Sequence, residues 1–355
     1  MCACYLLSAS WDYGIYTVGQ VAHIVGATDA SGSPRGRSTL SGSARAAAPN
    51  LMLLCYACHK KADQDPEHYS PDYLIELKDQ FENRVRAVTD FSTLEPTIVI
   101  RLTSPIRGNS AVIDDAQVSE ALRYAHLTYA GEDVRAATQR VTLNTAETVD
   151  GVWSTAASHI EKKVERALST LEESSARSIS VFALAPIPLL VKLGHCIGTK
   201  HATHVFERHR IDGDASYRWP NEDETETGFV VSDVGSEASA TDVVALVSIS
   251  ATVQQDRMPL DVQSFPRIEL TTAGTPGPGL IRTSSALRRF ADAWRQTLQR
   301  VEANFPKVER LHLVAASPIA ASIELGRHHM HDAHPQLLVY QLDERRQYAP
   351  VLTVG

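Results

Sequence analysis

"ISVFALAPIPLLVKLGH" (179–195) and "LHLVAASPIAASIELGR" (311–327) align without a gap at an offset of 132 residues. Each is a short apolar run, then a Pro-Ile pair, then a helical pattern that closes on Leu-Gly. Each leads into a second apolar run, "THVFERH" (203–209) and "LLVYQLD" (337–343). Strand, proline turn, helix and strand make a right-handed βαβ unit, here present twice. Two such units predict two Rossmann-like halves with parallel sheets. Ligands meet such sheets beyond the carboxyl ends of the strands, which places a cleft at the loops after 183–185 and 315–317. A cleft lined by two equivalent loops suits a ligand with repeating units, such as a cyclic oligonucleotide. The alternative is a purely structural repeat with the cleft as an interface.

Candidate ligand groups follow from those loops. Pro186 and Pro318 shape the turns, with Ser317 beside the second. "HATHVFERHRIDGDASYRWP" follows Lys200 and supplies Tyr217 and Trp219 as stacking surfaces for a base. "TTAGTPGPGLIRTSSALRRF" (271–290) is a Gly/Pro-rich loop before a helix. Ser284 lies near that helix's N-cap, where backbone N–H groups can hold a phosphate.

The chain has 355 residues, too many for one hydrophobic core, so more than one domain is expected. With 43% hydrophobic and 21% charged residues it reads as a globular protein. No run approaches the ~20 apolar residues of a membrane span. The start "MCACYLLSASWDYG" lacks the basic region of a secretory signal, so a cytoplasmic protein is expected. Net charge is −8, and residues 1–90 hold 8 Lys/Arg against 10 Asp/Glu. A grip on phosphate must come from a local patch, several copies or a metal ion.

Four of the five cysteines, Cys2, Cys4, Cys55 and Cys58, fall in the first 60 residues. C-x-C plus C-x-x-C in a reducing compartment reads as a zinc site more readily than as two disulfides. "NLMLLCYACHKKAD" (50–63) is then a strand that feeds a zinc knuckle and a helix presenting His59. "VGQVAHI" (18–24) is an apolar strand carrying His23, and "SPDYLIELKDQFENRVRAVTD" (70–90) is an amphipathic helix with Ser70 as N-cap. Its apolar face is Leu74, Leu77, Phe81 and Val85. The order His23, Asn50, His59 suits a nuclease built on a two-stranded ribbon and a helix. One His takes a proton from water, the Asn fixes the strand-to-loop geometry, and the helix His helps hold a divalent ion.

These residues carry a resemblance. "AHI", "GSPRG", "PNLMLLCYACHKKAD" and "YLIELK" resemble the HNH endonuclease pattern, and the repeat region resembles a SAVED domain, two fused CARF-type Rossmann folds that sense cyclic oligonucleotides. HNH followed by SAVED is similar to the effector nucleases of bacterial CBASS anti-phage systems. The resemblance implies an α+β multidomain chain: a zinc-stabilised ββα-metal HNH domain at 1–90, a connector and start of the sensor at 91–165, and an α/β SAVED domain at 166–355. It implies a double-stranded DNA endonuclease, largely non-specific and metal-dependent, switched on by a cyclic di- or trinucleotide and working as a homo-oligomer. His23 then matches the general base, Asn50 the orienting Asn, and His59 the ligand of a catalytic Mg2+ or similar ion. Asp63 matches the trailing acid and Arg35 a phosphate-contacting arginine, while Cys2, Cys4, Cys55 and Cys58 match the zinc ligands. Ala22 stands where many relatives carry a metal-binding Asp. The competing reading is a zinc-knuckle adaptor for DNA or protein, coupled to a nucleotide sensor and without catalysis. A small-molecule enzyme on the repeat is disfavoured, because neither half has G-x-G-x-x-G after its first strand.

Overall fold

The computed structural model describes residues 7–10, 14–17, 19–89, 94–109, 112–131, 134–145, 147, 149, 151–211, 214–219, 227–235 and 237–355. The chain divides into two compact units, Met1–Thr93 and Leu94–Gly355.

In the first unit, β1 (Leu7–Ser10) pairs antiparallel with β2 (Gly14–Thr17). A second antiparallel ribbon joins β3 (Gly19–His23) to β4 (Leu51–Cys55), in register from Gly19 opposite Cys55 to His23 opposite Leu51. Between them the chain carries a single turn, α1 (Gly42–Arg45). Helix α2 (Tyr56–Gln64) follows β4 directly, and α3 (Pro71–Thr89) follows α2. The Ser70 hydroxyl accepts the Tyr73 N–H at the start of α3, and Pro71 costs nothing at a position with no helical partner. The apolar core is small: Ile24, Ala62, Tyr69 and Leu74, with Met52 and Leu77 against it. Phe81 belongs to the apolar stripe of α3 yet is 62% exposed, so the stripe outruns the core it was expected to cover.

The second unit opens with β5 (Glu95–Thr103), α4 (Asp115–Tyr124), β6 (Leu127–Tyr129), β7 (Thr138–Thr142), α5 (Val152–Glu173), β8 (Ser178–Leu184), α6 (Ile187–Ile197) and β9 (Ala202–Phe206). Strand β5 pairs in parallel with β6, β7 and β8, and β8 pairs in parallel with β9. The stretch 91–165, read as connector and start of the sensor, thus supplies the strand around which this sheet is organised. A short hairpin follows, β10 (His209–Ile211) with β11 (Asp214–Ser216). Then come β12 (Phe229–Val234), β13 (Asp242–Ser248), α7 (Leu260–Ser264), β14 (Arg267–Thr272), α8 (Ser284–Asn304), β15 (Arg310–Ala316), α9 (Ile319–Arg327), β16 (Gln336–Leu342) and β17 (Tyr348–Val354). They form a six-stranded sheet in the order β12-β14-β13-β15-β16-β17, parallel at its four central strands and antiparallel at both edges.

The two copies of the repeat are β8–α6–β9 and β15–α9–β16. Alternation along the strands explains their near-continuous apolar sequence, since both faces of each sheet are covered. Ile98, Ile100 and Leu102 of β5 enter the main core together with Val243, Ala245 and Val247 of β13. Val99 on one sheet and Val244 and Leu246 on the other enter separate clusters. Helices α6 and α9 meet inside the main core at their repeated glycines. A Cβ on Gly194 would lie 1.9 Å from the Ile323 carbonyl oxygen, and one on Gly326 would lie 1.9 Å from that of Val191. The Leu-Gly that closes each repeat is therefore the mark of a backbone-to-backbone helix crossing. Among the described residues no helix is long and apolar enough to cross a membrane.

Candidate functional site

In the first unit the loop between β3 and β4 is held by three polar side chains, Asn50, Arg45 and Arg35. Asn50, 6% exposed, accepts the Val25 N–H on Oδ1 at 2.8 Å and donates Nδ2 to the carbonyls of Val25 (2.8 Å) and Arg45 (2.9 Å). Its own carbonyl accepts the Ile24 N–H at 2.9 Å, so Asn50 extends the ribbon past His23 by imitating a paired strand. Arg45 is buried and donates to the carbonyls of Gly26, Gly36, Ser38 and Leu40. Sequence reasoning missed it, although an Arg among small residues just before Asn50 is the available signal.

Arg35 was expected to contact phosphate, and the structure corrects this. Its side chain is 3% exposed, and its guanidinium donates to the carbonyls of Ile24 (2.8 Å), His23 (3.3 Å) and Ala62, and to Asp63 Oδ1 at 2.7 Å. With its donors engaged and its surface covered, it ties the end of β3 to α2. Its φ of +55° is costly for a residue with a Cβ, and these four bonds hold it there.

Helix α2 places His59 and Asp63 one turn apart. His59 Nδ1 meets Gln20 Oε1 at 2.9 Å, and its Nε2 faces Asp63 Oδ2 at 3.4 Å. Asp63 thus bridges Arg35 and His59. Gln20 lies on the ribbon face toward α2, and on the same strand Ala22 is 2% exposed and Val21 60% exposed. His23 is half-buried, and among the described residues its side chain makes no hydrogen bond or ion pair with Asn50, His59 or Asp63.

Cys55 caps α2: its Sγ accepts the Cys58 N–H at 3.5 Å. Cys2 and Cys4 lie outside the described residues. Among those described, no three His, Cys, Asp or Glu side chains converge on one metal position.

In the second unit the carboxyl ends of the strands gather Pro186, Ser317 and Pro318, the N-caps of α6 and α9 and the residue before. Pro186 lines a cavity of about 140 Å³ with Ser104, Trp153 and Leu189. Trp153 was not foreseen; its signal is an aromatic just after the glycine that opens α5. Ser317 Oγ and Ser322 Oγ are 2.8 Å apart. Trp219 packs edge-on to His209, with centroids 5.0 Å apart. Ser284 is the first residue of α8, and the N-cap is Thr283, whose hydroxyl accepts the Ala286 N–H at 3.1 Å.

Two expected ligand residues sit elsewhere. Tyr217 is fully buried, edge-on to Phe182, and has no face for a base to stack on. Lys200 follows α6 and precedes β9, so it belongs to the amino ends of the strands. There it lines a separate groove of about 630 Å³ with His201, Arg295, Arg327 and His328. The strand-end residue that sequence reasoning passed over is Glu207, the residue after β9, which is buried and accepts the Ala320 N–H of α9 at 2.7 Å.

Comparison with curated proteins finds no match. Among solved structures, the Cap4 SAVED/CARF-domain containing receptor of Acinetobacter baumannii with the cyclic trinucleotide 3'3'3'-cAAA is similar over 85% of this chain and 63% of that one, at 14% identity and a TM-score of 0.47. The Moraxella osloensis Cap4 SAVED/CARF-domain containing receptor is similar over 84% of this chain and 60% of that one, at 13% identity and a TM-score of 0.43. The chain thus spans less than two thirds of the length of these receptors. A model of the SAVED family, the SMODS-associated and fused to various effectors sensor domain, matches residues 160–354. The chain belongs to the SAVED sensor-domain family.

Proposed function

We propose that this protein is an effector nuclease of CBASS-type anti-phage defence: a cyclic oligonucleotide bound by the SAVED region switches on cleavage of double-stranded DNA by an HNH centre in the first unit. The observation that carries the reading is that Asn50 and Arg35 both hold the chain at Ile24, while Arg35 joins Asp63 and, through it, His59. These contacts fix the strand end that bears His23 and the helix face that bears His59, on the ribbon-and-helix layout such nucleases use.

Each residue has a separate task. His23, at the end of β3, accepts a proton from the attacking water. Asn50 holds the turn after it, and Arg35 orients Asp63. His59 Nε2 and Asp63 Oδ2 offer one nitrogen and one oxygen side by side. This fits a Mg2+-type ion, which takes one or two protein donors and keeps several waters. Such an ion, when bound, supplies positive charge to the scissile phosphate. Zinc has Cys55 and Cys58 as two thiolates, with Cys2 and Cys4 proposed as the others. The net charge of −8 disfavours DNA binding by a single copy. A messenger that binds the assembled state more tightly raises DNA affinity through avidity, so activation by homo-oligomerisation is part of the proposal.

The test is plasmid degradation by the purified chain in Mg2+, alone and with a panel of cyclic di- and trinucleotides that includes 3'3'3'-cAAA. Cleavage with one panel member, and none with the others or without ligand, is expected. Tight zinc with no cleavage under any condition would favour the adaptor.

A further inference from the structure

At the carboxyl end of β9, Glu207 leaves the first sheet of the SAVED region and reaches the helix of the second repeat. Its Oε2 accepts the Ala320 N–H at 2.7 Å, in the first turn of α9, and its Oε1 accepts the Arg208 N–H at 3.2 Å. The residue is 8% exposed, and among the described residues no cation forms an ion pair with it. Helix α9 has no cap of its own, since its N-cap is Pro318, so Glu207 caps it from across the two halves. The contact has no counterpart in the first repeat. The residue equivalent to Ala320 at the 132-residue offset is Pro188, which has no N–H to give.

Among the described residues, few charges surround this carboxylate. Arg208 touches it only through its backbone. From the segment after β11, the buried Tyr217 hydroxyl has no hydrogen-bond partner among the described residues, and Glu207 adds to the burial that pushes its pKa up to about 12. On β5, Arg101 is engaged by Asp115. On α9, Glu324 is engaged by Arg327 and His328, and Ser322 by Ser317 and Pro318. Burial accordingly pushes the Glu207 carboxyl up to about 7, against the pull of the two backbone N–H groups.

We propose that Glu207 is a proton-operated latch between the two halves of the SAVED region. Protonated, it caps α9 without a buried charge. Ionised, it loads the same contact with a charge that no described side chain neutralises, and the first turn of α9 loosens. The latch acts in the ligand-free chain and goes beyond the nuclease reading. A phosphate carried to these strand ends would favour the protonated form, so anion binding there is coupled to proton uptake.

The sign follows from linkage. The folded state holds this proton more tightly than the unfolded chain, so the contribution to stability is fully present below the unfolded carboxyl pKa. It is lost as pH rises toward about 7. Between pH 5 and 8 the folding equilibrium constant of the ligand-free chain should fall on the order of a hundredfold from this group alone. Glu207→Gln keeps the acceptor for Ala320 without the charge, and its profile should lack that fall. Superimposable pH profiles for wild type and Glu207→Gln would overturn the proposal. Glu207→Ala should also speed amide exchange at 319–322 at pH 5.5, and unchanged exchange there would remove the latch. Should Glu207→Ala not fold, the Glu207→Gln profile decides.

Discussion

The two units are held together in different ways. The SAVED region is an apolar structure: two sheets and the helices α5, α6, α8 and α9 share one core. Among the described residues the first unit has one small apolar cluster, and Asn50, Arg35 and Arg45 hold the loop from Ile24 to Asn50. A small unit cannot remove enough apolar surface from water to fix a long loop, so charge-assisted hydrogen bonds to backbone carbonyls do it instead. The first unit should then fail through lost polar contacts, and the second through packing.

The largest effect expected is in the apolar region. Gly194→Ala or Gly326→Ala places a methyl group against a carbonyl oxygen that only backbone movement can relieve, and should cost about 3 kcal/mol or more. Urea titration of the full chain reads this directly; a loss below about 1 kcal/mol would mean that α6 and α9 do not touch there. Next, Asn50→Ala leaves the N–H and carbonyl of Val25 without partners and should cost about 2 kcal/mol. Hydrogen exchange should locate that loss between residues 24 and 50 and leave β13 and β15 protected. Exchange spreading equally through both units would erase the distinction.

A smaller effect concerns acid. Burial raises the Asp242 carboxyl, but hydrogen bonds from Arg310, His312 and Thr241 outweigh it and hold the pKa down to about 2. Its stabilisation is present above the unfolded carboxylate range and lost as pH falls toward 2. Thermal unfolding between pH 5 and 2 should therefore be less pH-dependent in Asp242→Asn than in wild type. Smallest of all, Val21→Thr on the exposed ribbon face, where Val21 is 60% exposed, should stay within about 0.5 kcal/mol.

The repeat was legible because βαβ units write themselves as period and punctuation: an apolar run, Pro-Ile, and Leu-Gly at a fixed offset. The glycines carried more information than their place at a helix end suggested, since they mark a helix crossing. The place of Glu95–Thr103 at the centre of the first sheet was hidden inside a stretch read as connector, because pairing order is a long-range property. Tyr217 failed as a ligand residue for a related reason. Aromatic character is visible in the sequence, while burial behind Phe182 depends on tertiary packing. Arg35 looked like a phosphate contact because an arginine in a loop carries no sign of which carbonyls it will reach. Glu207 stood in plain view after "THVF", but only the neighbouring half of the fold gives it a partner.

In the proposed function, ligand sensing and phosphodiester cleavage belong to different units and can be separated. His23→Ala tests it most directly, with two readouts on one preparation: calorimetric binding of the cyclic nucleotide that activates the wild type, and plasmid cleavage in Mg2+ with that nucleotide. Unchanged affinity with cleavage abolished is the predicted result. Cleavage by His23→Ala at the wild-type rate would contradict the claim that the first unit performs the chemistry through this histidine.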